Sequence, residues 1–249
     1  MAIPTKIYRV LLAVLLLVVG ISLHAPASWA APLQDFNKSL DAAMRHHRWA
    51  GFYLRTGNIA LAQLELDAFA AKSKALAGNY ALSPPDLFAA DPNWRGDIES
   101  LPTTAAAALA ASEGGEIETA RALLAPVRAS IGQLRRRNGL FLFSDCIDAA
   151  NGAFERLWRV RHNPPNFTKP AEIDLMRHDL AVTLYWYRRC HDEAPLSVRD
   201  NGQFQRLMET SIQSLNLIWE AARNANARRI INILREVRSS DRLLYLQFP

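Results

Sequence analysis

The sequence predicts an all-α protein of antiparallel helical hairpins, about eight helices packed as a bundle or a short repeat array. Three observations carry this. Apolar residues recur at three- and four-residue intervals through most of the chain, the pattern of helices with one buried face. Short breaks at Gly57-Asn58, Gly114-Gly115 and Asn224-Ala225-Asn226 separate consecutive stripes, so neighbouring helices fold back on each other. Half of the 249 residues are apolar, enough to build a substantial core and to exclude a disordered chain.

Residues 1–30 read as a cleaved secretory signal. Lys6 and Arg9 form a basic start, Val10 to Leu23 an apolar core, and Ser28-Trp29-Ala30 a small-x-small end, which places cleavage after Ala30. An uncleaved anchor is the competing reading, because the apolar run falls only a little short of a membrane span. Cleavage removes two basic residues and no acid, taking the net charge from +5 to +3. So mild a charge does not indicate nucleic acid. The expected location is periplasmic or otherwise secreted. The mature chain is expected to comprise N-terminal hairpins (31–143) and a C-terminal bundle (144–249), as separate units or one continuous domain.

Along the chain, Phe36, Leu40, Ala43, His47, Ala50 and Leu54 form a first stripe ending at Gly57-Asn58, and Ile59, Ala62, Leu66, Phe69 and Leu76 form the second. The adjacent His46 and His47 invite a metal reading. Neighbouring helical residues point about 100° apart, so a packed or capping histidine is preferred. Residues 78–97 hold Pro84, Pro85, Pro92 and Gly96 and read as a long irregular connection, either a lid or partner-contacting loop or a core-covering loop with Tyr80, Phe88 and Trp94 packed down. The alanine-rich run from Thr104 to Ser112 is strongly helix-forming. After Gly114-Gly115 a further helix runs from Glu116 with a kink expected at Pro126. Arg135-Arg136-Arg137 and Asn138-Gly139 close it as a C-terminal cap, and Leu140 to Phe143 reads as a buried linker.

The stretch from Ser144 to Asp192 is the predicted central hairpin. Its first helix is expected to start at an N-cap Ser144 and carries Ile147, Ala150, Phe154, Leu157 and Trp158 on one face. His162-Asn163-Pro164-Pro165-Asn166 breaks it, since neither proline donates a backbone hydrogen bond. The second helix runs from about Ala171 to Cys190. Cys146 and Cys190 lie near the same end of this hairpin by distance from the turn, and in an oxidising compartment two cysteines pair. The competing chemistry is a thiophilic metal held by reduced Cys146 and Cys190 with His191, although no short Cys-x-x-Cys unit supports it.

The last two stripes run from Phe204 to Ala222 and from Ile230 to Phe248. The final helix is basic, and Arg223, Arg228, Arg229, Arg235, Arg238 and Arg242 are candidates for a partner-facing surface, with a merely solvated face as the alternative. Asp241 interrupts the apolar row and calls for a partner, expected from Arg238, Arg242 or an arginine on another helix.

The stretch Ala50-Gly51-Phe52-Tyr53-Leu54-Arg55-Thr56-Gly57-Asn58-Ile59-Ala60-Leu61-Ala62, echoed by Ala108, Gly115-Glu116 and Ala120, resembles tetratricopeptide repeats over about residues 44–137. That resemblance implies a concave helical surface for peptides or proteins and no catalytic residues. The exported helical bundle is also similar to the cytochrome c′ and c556 group, but Val237-Arg238-Ser239-Ser240-Asp241-Arg242 stands where that group carries its Cys-x-x-Cys-His haem attachment. Non-covalent haem would then call on His46, His47, Met44, His178 or Met176.

No glycine-rich phosphate loop, Gly-x-Ser-x-Gly elbow or His-Glu-x-x-His is present in the sequence, so enzyme chemistry is not expected. The expectation is a non-catalytic exported binding or scaffold protein acting on another exported or membrane-associated protein, without cofactor. A haem- or metal-binding periplasmic carrier is the alternative.

Overall fold

The computed structural model describes residues 31–248, with side chains from Leu33 onward. The signal-sequence reading of residues 1–30 lies outside them. Among the described residues there are nine helices of eight or more residues, and no strand. They are α1 (Ala31–Thr56), α2 (Ile59–Tyr80), α3 (Trp94–Glu113), α4 (Ile117–Leu124), α5 (Val127–Arg137), α6 (Phe143–Trp158) and α7 (Pro170–Asp192), then, after the one-turn α8 (Leu196–Arg199), α9 (Gly202–Arg223) and α10 (Ala227–Gln247). No helix among them is long and apolar enough to cross a membrane.

The periodic stripes bury two clusters. Phe36, Leu40, Leu66, Phe69, Ile98, Ala108 and Leu134 belong to one, formed by α1 to α5. Phe154, Leu157, Leu180, Phe204, Leu215, Ile218 and Ile233 belong to the other, formed by α6, α7, α9 and α10. Successive helices pack side by side within each set, and α10 meets α1 where the two sets adjoin.

Three tight turns share one geometry. A residue with positive φ, namely Gly57 (80°), Gly115 (79°) or Ala225 (51°), lets the next amide turn back onto the preceding helix. Asn58 N–H donates to Tyr53 O at 3.1 Å, Glu116 to Ala111 at 2.8 Å and Asn226 to Ala221 at 2.8 Å, the bond pattern of a helix end that reverses on a left-handed residue. Asn58 and Asn226 then open the following helices by accepting the amides of Leu61 and Arg229. These turns are the rhythm visible in the sequence. The intervals from Gly57 to Gly115 and on to Ala225 far exceed the roughly 34 residues of a tetratricopeptide unit.

Ala225 is the exception, a Cβ in a conformation that costs an L-residue about 1–2 kcal/mol. Ala225→Gly relieves that strain, while the added freedom of the unfolded chain costs about 0.4–1 kcal/mol. A net stabilisation of roughly 0.5–1 kcal/mol is expected from these opposing figures, read as a higher urea midpoint. A lower midpoint would show that other contacts set the turn.

Several boundaries differ from expectation, each for a local reason. The irregular connection is shorter than 78–97, because α2 continues to Tyr80, one 3₁₀ turn forms at Asp86–Phe88, and α3 starts at Trp94 and runs through Pro102. Its aromatic residues pack down as a core cover: Phe36, Phe88 and Trp94 meet with ring centroids 4.7–5.5 Å apart, and Trp94 Nε1 donates to Tyr80 O. Pro126 causes a break instead of a kink, with α4 ending at Leu124 and α5 starting at Val127. Helix α6 opens at Leu142, not Ser144, because the Asp145 carboxylate accepts the Leu142 amide at 2.9 Å. Phe141 is 42 % exposed, so the linker before α6 is not buried throughout. The arginine triplet does more than cap: Arg135 is buried and bridges Asp41 and Asp145, and Arg137 binds Asp91 and Asp97.

Candidate functional site

The central hairpin is closed by the Cys146–Cys190 disulfide, with Cα atoms 5.6 Å apart. Both sulfurs sit in the C-terminal core, so in this state neither is a thiolate that would ligate a metal with His191. His191 is held instead by Gln205, with Nε2 2.7 Å from Oε1, and by Asp192.

The outer face of the same hairpin carries aromatic and arginine side chains. Tyr185 is 54 % exposed, and Trp186 and Trp219 are half-buried around it. The Arg189 guanidinium lies over the rings of Phe141 (5.1 Å) and Trp186 (5.4 Å) and is held by Glu193 at 2.9 Å. Arg188 reaches only the Asn216 amide oxygen. A groove of about 550 Å³ runs between α7 and α9 beside these residues. The composition matches what interfaces concentrate at their centres: Trp, Tyr and Arg with restricted rotamers.

The candidate haem ligands do not converge. Met44, His46 and His47 lie on α1, whereas Met176 and His178 lie on α7, with Met44 and Met176 buried in different clusters and His178 exposed. His46 Nδ1 is 2.7 Å from Glu65 and His47 Nε2 is 3.0 Å from Leu124 O. These residues do not fit a shared haem axis. The six candidate arginines also divide. Arg223, Arg228, Arg229 and Arg235 are exposed, while Arg238 and Arg242 are half-buried and face the junction between the two clusters.

That junction is a seam lined by arginine. Arg48, Arg55, Arg121 and Arg128 line a cleft of about 440 Å³ with His47, Gly51, Phe52 and Tyr245. A smaller adjoining cavity shares Arg55, Arg128 and Tyr245 and adds Arg238, Arg242, Asn151 and Glu155. Only Glu118 and Glu155 supply carboxylates to the lining itself.

Beneath it runs a chain of buried polar groups. Arg128 donates to Asn151 Oδ1 at 2.7 Å and to the Asp148 carbonyl, while its Nε pairs with the Asp148 carboxylate at 2.9 Å. Asn151 Nδ2 donates to Asp241 Oδ2 and the Tyr187 hydroxyl donates to Oδ1, both at 2.7 Å. Because a guanidinium only donates, it fixes the Asn151 amide with its oxygen outward and its NH2 on Asp241. The ion pair expected between Asp241 and Arg238 or Arg242 is thereby loosened. Arg238 approaches only to 3.8 Å and is engaged more closely by Glu155 at 2.5 Å, so two neutral donors hold the carboxylate. Burial pushes Asp241 up to about 6 against those hydrogen bonds. Burial raises the Tyr187 hydroxyl well above its ordinary value, and the Asp241 charge adds to this. Burial lowers His47 to about 4, the Leu124 carbonyl opposing it.

No protein family, characterised protein or solved structure matches this chain.

The seam residues are not singled out by sequence patterning, yet a signal exists for two of them. Arg48 lies one helical turn after the buried Met44 on α1, and Asn151 lies between Ile147 and Phe154 on the stripe of α6. A polar residue on an apolar row needs a partner or a ligand. Arg55, Arg121 and Tyr245 have no such mark, because they are brought together only by the packing of both α4 and α10 against α1.

Proposed function

We propose that the protein is an exported, non-catalytic helical binding protein that engages another exported or membrane-associated protein through the aromatic and arginine face of α7 and α9. One observation supports this: Phe141, Tyr185, Trp186 and Trp219 gather around Arg188 and Arg189 at the surface. Such rings contribute large contact area at little conformational cost, and a guanidinium stacked on them loses less freedom on association. Arg188 pairs with no carboxylate of its own helix or of α9, which suits a partner whose rim is acidic.

A photo-crosslinking residue at position 185 tests this in the exporting cell. The expected result is one discrete protein adduct that Arg188→Glu reduces at least fivefold. A crosslinker at exposed Leu64 on α2 serves as control. The same adduct pattern from both positions would overturn the proposal.

A further inference from the structure

We infer that the cleft at the seam of the two helical sets is a binding site for a small organic oxyanion with an apolar or aromatic body. The proposal is independent of the α7–α9 face. Its decisive feature is Arg48, which is 7 % exposed, lines the cleft, and has both Nε and Nη2 buried with no hydrogen-bond partner. A buried guanidinium without an acceptor is costly to a fold, so its presence points to an acceptor brought by a ligand.

The surrounding carboxylates do not meet that need. Asp148 is committed to Arg128 at 2.9 Å and Asp41 accepts from Arg135 at 3.3 Å. The other cations add to the same field. Arg55, exposed at the rim of the cleft, takes part in no ion pair among the described residues, and its partial desolvation, followed by the nearby charges of Arg242 and Arg238, lowers its pKa. Arg242 Nε is also buried without a partner. Convergent guanidiniums in a partly desolvated cleft are the usual recognition chemistry for carboxylate and phosphate oxygens.

The rest of the lining defines the body of the ligand. Gly51, Phe52, Ala122, Leu124 and Ala125 form apolar wall, and a Cβ placed on Gly51 would meet nothing within 4 Å. Space is therefore open directly above the α1 backbone, beside the Phe52 ring. A volume of about 440 Å³ falls within the range of small-molecule sites, roughly 300–1,000 Å³. A bare inorganic ion would leave this wall wet, whereas an oxyanion attached to a ring would cover it.

Calorimetric titration of the mature chain with four probes tests the inference: phenyl phosphate, phenylacetate, inorganic phosphate and benzyl alcohol. At least one of the two aromatic anions is expected to bind tenfold or more tighter than inorganic phosphate, and benzyl alcohol not to bind. Arg48→Met should weaken that binding at least tenfold while raising the unfolding temperature of the ligand-free protein, because it removes an unpaired buried charge. Gly51→Leu should abolish binding of the aromatic anions with every arginine still in place. Equal binding of inorganic phosphate and both aromatic anions would overturn the apolar part of the proposal. Unchanged binding by Arg48→Met, a lower unfolding temperature for that variant, or no binding of either aromatic anion would overturn the whole of it.

Discussion

Removing the Cys146–Cys190 disulfide is expected to lower stability by about 4 kcal/mol, from the loop-closure entropy of a cross-link of this span. The sequence separation is 44 residues, long enough for the unfolded chain to lose much freedom when closed. The bond joins α6 to α7 at the end opposite their connecting turn, so the hairpin is tied at both ends. Cys146→Ala/Cys190→Ala avoids leaving hydroxyls in the core. For a chain of this size each kcal/mol moves the midpoint by roughly 2–4 °C, so a fall of about 8–16 °C is expected. The folded state itself should survive, because Phe154, Leu157, Leu180, Leu184 and Tyr187 still pack against α9 and α10. Thermal unfolding with and without reductant checks this. A shift under about 3 °C would mean that the hairpin is already restricted in the unfolded chain and that cross-linking adds little.

The hairpin is legible in the sequence because its information is local. Proline pairs end helices, apolar stripes define faces, and two cysteines equally far from a turn meet without reference to the rest of the fold. The reversals at Gly57, Gly115 and Ala225 are legible for the same reason. Expectation and structure part where tertiary contacts redirect a local signal. Ser144 has the chemistry of an N-cap, but Asp145 takes the amide and leaves Ser144 to Arg135. The Arg135–Arg137 triplet has the chemistry of a helix end, yet Asp41, Asp91, Asp97 and Asp145 arrive from three other helices and the loop before α3 to claim it. The seam is least legible of all. Its arginines come from α1, α4, α5 and α10, and no spacing along one helix announces that four such faces will share a cleft.

Two buried groups, one in each helical set, are expected to give the protein opposing pH dependences between about pH 4 and 6.5. Burial raises Asp241 to about 6, so the folded state holds a proton that the unfolded chain releases near its ordinary value of 3.8. Stability from this group therefore falls as pH rises from about 4 to 6, and the loss persists above that. His47 behaves in reverse. It is lowered to about 4 from 6.5, so below 6.5 the unfolded chain binds a proton that the folded state refuses. Its contribution is complete above 6.5 and is lost as pH falls towards 4. Each effect is about 3 kcal/mol, since every tenfold displacement of a proton-binding equilibrium corresponds to about 1.4 kcal/mol. In the unaltered protein the two slopes nearly cancel.

Single variants expose them. His47→Phe keeps the edge contact with Phe69 and removes the titration. Its stability deficit relative to wild type should be smallest near pH 4 and grow by about 3 kcal/mol on the way to pH 6.5 and above. Asp241→Asn should show the mirror image, with the difference most unfavourable near pH 4 and shrinking by about 3 kcal/mol above pH 6. Its amide can accept from Asn151 and turn its own NH2 to the Tyr187 oxygen, which leaves the Tyr187 hydroxyl proton without its acceptor, adding a pH-independent cost of about 1–3 kcal/mol. Urea midpoints from about pH 4 to 7, taken as differences from wild type, cancel the other titrating carboxylates. Flat difference curves would show that water reaches both groups in the folded state. Because His47 stands on α1 and Asp241 on α10, the two slopes fall in a single transition only if the halves unfold together. Two separated transitions, each carrying one slope, would instead mark the seam as a boundary between independently stable units.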